Sequence, residues 1–175
     1  MTRVHHVNKA RKSPGKCGRC DHRIKKGFPY KWWKFRRSGK YIRCADPACA
    51  PKPKDLTQSE FWSALYGIQE ARFELNTSIE DLEAARDNVV GELENLRDEQ
   101  EDKRSNMPEG LQEGDTGNLL QERFDALEEA VINLQNVDIS YDPPEEVEEQ
   151  DEAEDARMTE IADELQNALD DINCS

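Results

Sequence analysis

Four cysteines in two close pairs, Cys17 with Cys20 and Cys44 with Cys49, leave residues 17–49 few ways to fold. Two residues separate the members of the first pair and four those of the second, spacings at which a turn aims both sulfurs at one point, and two such pairs complete a tetrahedral zinc site. The set leaves no coordination position open, so the sequence predicts one structural Zn2+ ion and no metal-centred catalysis. His22 is a rival ligand, but using it would strand a cysteine of the set. His5 and His6 lie far upstream of a set that is already full. A module of about 40 residues rarely folds on apolar burial alone, so metal binding, on the order of 10 kcal/mol, would supply its folding energy. Pairs this close are read as metal ligands in a reducing compartment rather than as disulfides. Cys174, next to last in the sequence, reads as a thiol in a frayed tail.

The twenty-three residues between the pairs have room for a β-hairpin. The run 28–35 is aromatic and strand-like, residues 36–40 read as a turn around Ser38 and Gly39, and residues 41–43 lead back to Cys44. Alternation places Phe28, Tyr30 and Trp32 on one side of the strand and Trp33 and Phe35 on the other. One aromatic side must be covered, either by the module or by Phe61, Trp62 and Tyr66 further along. The other is free to stack on bases. The candidate nucleic-acid-binding residues are accordingly Arg19, Arg23, Lys25, Lys26, Lys31, Trp32, Trp33, Lys34, Arg36, Arg37, Lys40 and Arg43: cations for phosphates and indoles for stacking.

Charge divides the chain. Residues 1–54 hold seventeen Lys and Arg against Asp21 and Asp46, whereas residues 55–175 hold seven against thirty-six Asp and Glu. The basic half points to a nucleic-acid partner, DNA or RNA, and the acidic half to a solvated or protein-binding surface. Only 35% of residues are hydrophobic, too few for a large globular core. Residues 1–16, basic and without apolar periodicity, read as a flexible arm. They lack the apolar run of a secretory signal, and no stretch is apolar enough to span a membrane, so a cytoplasmic protein without a membrane partner is expected.

Beyond residue 54 the pattern is helical. Thr57 to Glu60 form a capping box, and apolar residues then recur in alternating steps of four and three: Phe61, Leu65, Ile68, Arg72, Leu75, Ile79, Leu82, Arg86, Val89, Leu93 and Leu96. Nine of these eleven positions are apolar, which predicts one continuous coiled-coil helix to about residue 104. Pro108 and three glycines place a loop at 105–117, and the seam resumes over 118–137. The expected organisation is a basic arm (1–16), a four-cysteine zinc module (17–54), a coiled-coil helical hairpin (55–137), an acidic linker (138–155) and a last helix (156–175). The fold class is a small zinc-stabilised β-hairpin module followed by an all-α coiled-coil or helical-hairpin region. The second and third helices either fold back on the long one or leave its seam free for a parallel homodimer.

The run Cys17-Gly18-Arg19-Cys20, with Ile24, Lys26, Gly27 and an aromatic strand before the second pair, resembles the zinc finger of poly(ADP-ribose) polymerase type, a DNA-binding module. That family carries a histidine and a cysteine as its second pair, two residues apart, where this chain has Cys44 and Cys49. One finger ahead of an acidic helical tail also resembles zinc-finger proteins of tailed bacteriophages, which implies the host cytoplasm as location.

No glycine-rich phosphate loop and no nucleophile-and-base signature is present, so an enzyme is not expected. The sequence favours a zinc-finger nucleic-acid-binding accessory or regulatory protein with an acidic coiled coil for assembly. The alternative is a protein-interaction adaptor or inhibitor whose acidic helical region engages a partner protein, or one that mimics nucleic acid.

Overall fold

A computed structural model of the chain describes residues 2–141 and 150–174; the side chains of residues 75, 150 and 151 are outside that description. The chain forms two compact units, Met1–Tyr66 and Gly67–Ser175.

The first unit is built on short antiparallel strands. β1 (His5–Val7), β4 (Tyr30–Trp33) and β5 (Tyr41–Cys44) form a three-stranded sheet in the order β1-β4-β5, and β2 (Gly15–Lys16) pairs with β3 (Arg23–Ile24) in a separate ribbon. The hairpin expected between the cysteine pairs is β4–β5, with Tyr30 opposite Cys44 and Trp32 opposite Ile42. The basic arm is not free: β1 adds to the other edge of β4 with His5 opposite Trp32, and Gly15 pairs with Ile24. Between these strands the buried Ala10 donates its N–H to Phe28 O at 3.1 Å and accepts from Gly27 N at 2.8 Å. An open strand edge with unpaired N–H and C=O groups recruits the arm, which composition alone does not reveal. Helix α1 (Glu60–Ile68) begins where the capping residues predict, with Ser59 Oγ accepting from Trp62 N at 3.4 Å.

The second unit is helical. α2 (Ile79–Ser105), the short α3 (Glu109–Gln112), α4 (Asp115–Gln135) and α5 (Gln150–Asp170) supply it, with α4 folded back along α2 and α5 packed on both. Leu82, Val89, Leu93 and Leu96 of α2 meet an interior that also holds Leu127, Val131 and Leu134 of α4 and Ile161, Leu165 and Leu169 of α5. Gly117 sits in the first turn of α4, where a Cβ would collide with the backbone of Gln112.

Three further expectations are corrected here. The helix expected to run unbroken from 61 to 104 stops at Ile68 and restarts at Ile79, and a 3-10 turn at Phe73–Leu75 fills the gap. The Arg72 side chain donates to the carbonyls of Gln69 and Ala71 at 3.2 and 2.8 Å, while its neighbour Phe73 is fully buried. A charge placed in an apolar seam thereby leaves it, and a phenyl ring enters. Asn76, Thr77 and Ser78 favour the break, since short polar side chains bond nearby backbone in competition with helix: Asn76 Nδ2 donates to Phe73 O at 2.7 Å, and Ser78 Oγ caps α2 by accepting from Asp81 N at 3.1 Å. The last helix starts at Gln150 rather than 156, so residues 150–155 of the expected linker are helical; residues 142–149 lie outside the described residues. Cys174 is buried, not frayed, and burial pushes its thiol pKa up. Among the described residues no helix is long and apolar enough to cross a membrane.

The restart at Ile79 fixes the sign of a substitution. In an unbroken helix Ser78→Ala would stabilise the chain, because alanine is the better helix former. At an N-cap it costs about 1 kcal/mol. Urea unfolding followed by helical ellipticity is expected to show the loss.

Candidate metal centre

Each cysteine is placed by a turn whose hydrogen bonds are local. In the β2–β3 ribbon, Cys17 N donates to His22 O at 2.9 Å and Asp21 N to Cys17 O at 3.0 Å. Asp21 takes a positive φ of 54°, a conformation that Asp tolerates better than most residues. This tight turn presents Cys17 and Cys20, and Gly18 N ties it to β5 by donating to Ile42 O at 2.9 Å. Cys44 ends β5. The four-residue spacer that follows is a capped 3-10 turn, Pro47–Cys49, in which Asp46 Oδ1 accepts from Ala48 N at 2.9 Å and Asp46 O from Cys49 N at 3.0 Å.

These turns bring the four sulfurs within 4.8 Å of one another, close enough to hold a metal ion, with Cys20 Sγ and Cys44 Sγ 3.8 Å apart. Cys17 and Cys49 are buried beside Ile24, with Tyr30 and Ile42 packed against them, whereas Cys44 is half-buried and Cys20 exposed. His22 stays outside the group, and His5 lies on β1 stacked on Trp32 at 4.2 Å between ring centroids.

The thiols do not titrate alike. Burial works to raise the pKa of Cys17, but hydrogen bonds from the backbone of Cys20, Cys44 and Arg19 outweigh it and bring the thiol down to about 6. Cys49 is pushed up to about 12, first by its hydrogen bond with the Cys44 side chain, then by burial and by the charge on Cys17. Burial likewise raises Cys44. One thiolate is favoured at Cys17, and Cys44 and Cys49 resist a second. A cation bonded to all four sulfurs removes that conflict.

A second knot lies beside the sulfurs and centres on Asp55, whose place in the sequence suggests only the start of a helix. Its carboxylate accepts from Arg19 Nη2 at 2.8 Å, Arg43 Nη2 at 3.4 Å and Lys52 N at 3.0 Å, and its carbonyl accepts from Trp33 Nε1 at 3.0 Å. Arg19 also donates to the carbonyls of Ala48 and Ala50, which flank Cys49, at 3.3 and 3.2 Å. The Arg43 guanidinium lies over Trp33, 5.2 Å from the ring centroid, and Tyr41 stacks on the same indole at 5.6 Å. A Cβ at Gly18 would stand 2.6 Å from Arg43 Nη1, so a larger residue there would have to displace the guanidinium.

The candidate contact residues therefore divide. Arg19, Arg43 and the buried Trp33 are engaged inside the unit and hold the cysteine turns together. Arg23, Lys25, Lys26, Lys34, Arg36, Arg37 and Lys40 do not join that knot; all seven are exposed, and Lys31 and Trp32 are half-buried. Trp32 carries His5 on its ring and the Lys40 ammonium 4.3 Å from its centroid. The signal for Asp55 is present in the sequence: it is one of only three carboxylates in residues 1–55, with Asp21 and Asp46, where each has many cations to choose from.

Removing the carboxylate leaves Arg43, only 9% exposed, without its charge partner. Asp55→Ala is expected to cost about 3 kcal/mol in urea unfolding of the metal-loaded chain followed by tryptophan fluorescence. An unchanged midpoint would mean that the knot is incidental. No protein-family model, curated protein or solved structure matches the chain.

Proposed function

We propose that Cys17, Cys20, Cys44 and Cys49 hold one structural Zn2+ and that the unit so folded binds nucleic acid through its basic surface, as a non-enzymatic accessory or regulatory protein. Zinc at about 2.3 Å from four thiolates sets neighbouring sulfurs about 3.8 Å apart, and the Cys20–Cys44 separation is 3.8 Å. All-sulfur donors suit zinc better than the hard cations that select oxygen. The ion's part is to hold the two turns together.

The observation that carries the nucleic-acid reading is the charge left over once the interior is satisfied. Asp55 engages Arg19 and Arg43, yet most of the other candidate cations on the same unit face solvent. Outward cations at this density attract a polyanion and release its counterions on binding. The helical unit, rich in Asp and Glu, repels phosphate and confines contact to the first unit.

Fluorescence anisotropy with the zinc-loaded full chain and labelled oligonucleotides tests this reading. Binding is expected at low salt and should weaken steeply as salt rises; five phosphate contacts on a single strand would give a log–log slope of about −3.5. A chelator strong enough to strip the zinc should abolish binding. No binding at low salt, or binding indifferent to zinc removal, contradicts it.

A further inference from the structure

The segment expected to be a loose arm forms one wall of a concave site that spacing and composition do not announce. Lys9, Arg11, Lys12 and Lys40 line a cavity of about 510 Å³ whose lining also includes Tyr30 and Trp32 and has no acidic residue. The two aromatic residues are alternate positions of β4 and so belong to one face of the sheet. The wall is fixed, not recruited. Ala10, between Lys9 and Arg11, is 2% exposed and held by its two backbone hydrogen bonds, and Ser13 Oγ donates to Ile24 O at 2.7 Å.

Resting on the nucleic-acid reading above, we infer that this groove is the binding site proper and that it takes single-stranded DNA or RNA. Four cations in one lining, Lys9, Arg11, Lys12 and Lys40, with no carboxylate among them, attract a phosphodiester backbone. The aromatic lining discriminates between strand forms. A duplex keeps its bases stacked inside and offers the groove only phosphates, so Tyr30 and Trp32 gain nothing from it. An unpaired strand offers base faces, which stack on aromatic side chains in any sequence. Lys40 now lies over the Trp32 ring, and an arriving phosphate draws that ammonium aside as a base takes its place. Because the wall is already ordered, binding does not bear the entropy of arranging it.

The experiment uses the zinc-loaded full chain with oligo-dT, oligo-U and a mixed-sequence duplex of equal length, read by anisotropy across a salt series. Either single strand should bind at least about tenfold more tightly than the duplex. The triple variant Lys9→Ala, Arg11→Ala, Lys12→Ala alters exposed side chains and leaves the Ala10 hydrogen bonds intact. It should flatten the single-strand salt slope by about 2, at about 0.7 for each phosphate that the variant no longer neutralises. Trp32→Phe should retain most affinity but lose the fluorescence quenching that a base causes on stacking, whereas Trp32→Ala should weaken binding about 5- to 100-fold. Zinc content, measured on every variant, reports folding. If the parent chain binds but the triple variant keeps its full affinity and slope, or if duplex is preferred, the groove inference is overturned while nucleic-acid binding stands. If the parent binds no nucleic acid at all, both fall.

Discussion

Four sulfurs gathered within 4.8 Å are the constraint on which the first unit depends. Its strands are two to four residues long, shorter than strands that hold a sheet by pairing alone. Its interior near the site is a cluster of Cys17, Ile24 and Cys49 with a few half-buried neighbours. Such a cluster stabilises little by apolar burial, and a cation held by all four sulfurs would bond the turns to one another. The Asp55 knot joins the same segments by other means: the turn carrying Arg19, the end of β5 at Arg43, the carbonyls around Cys49, and Trp33 of the hairpin. The four sulfurs and the Asp55 carboxylate thus gather one set of chain segments at two adjacent points.

Charge then decides what the unit presents. A stretch with seventeen cations and two anions would repel itself if all its cations met. The fold admits two of them to the interior, each against Asp55, and turns most of the others outward. The helical unit solves the opposite problem by burying an apolar seam from three helices and leaving most of its carboxylates on the outside. The long seam of α2 is covered within the chain by α4 and α5.

Much of this is legible in the sequence, for reasons that also explain what is not. The cysteine pairs and the β4–β5 hairpin follow from spacing and alternation, which are local. The seam from Ile79 onward follows from periodicity, but the same periodicity runs through Arg72 and hides the break, because a heptad count weighs apolar positions and ignores caps. Ser78 with Asp81 three residues later is the capping pattern that marks the restart. The arm's place in the sheet is hidden because composition cannot show that β4 has an open edge. Alternation sets Trp33 and Trp32 on opposite faces, yet which one is covered depends on Asp55, twenty-two residues from Trp33 in sequence. Arg19 and Arg43 look identical in sequence to the surface cations around them; only the packed structure separates a structural guanidinium from one free to meet phosphate.

The central claim is that one zinc ion joins the two cysteine turns through four sulfurs. X-ray absorption at the zinc edge, on full chain purified with its metal, measures the ligand set directly. The account predicts four sulfur neighbours at about 2.3 Å and no nitrogen or oxygen bonded to the metal. A ligand set containing nitrogen or oxygen, or protein that folds with no zinc bound, would contradict it.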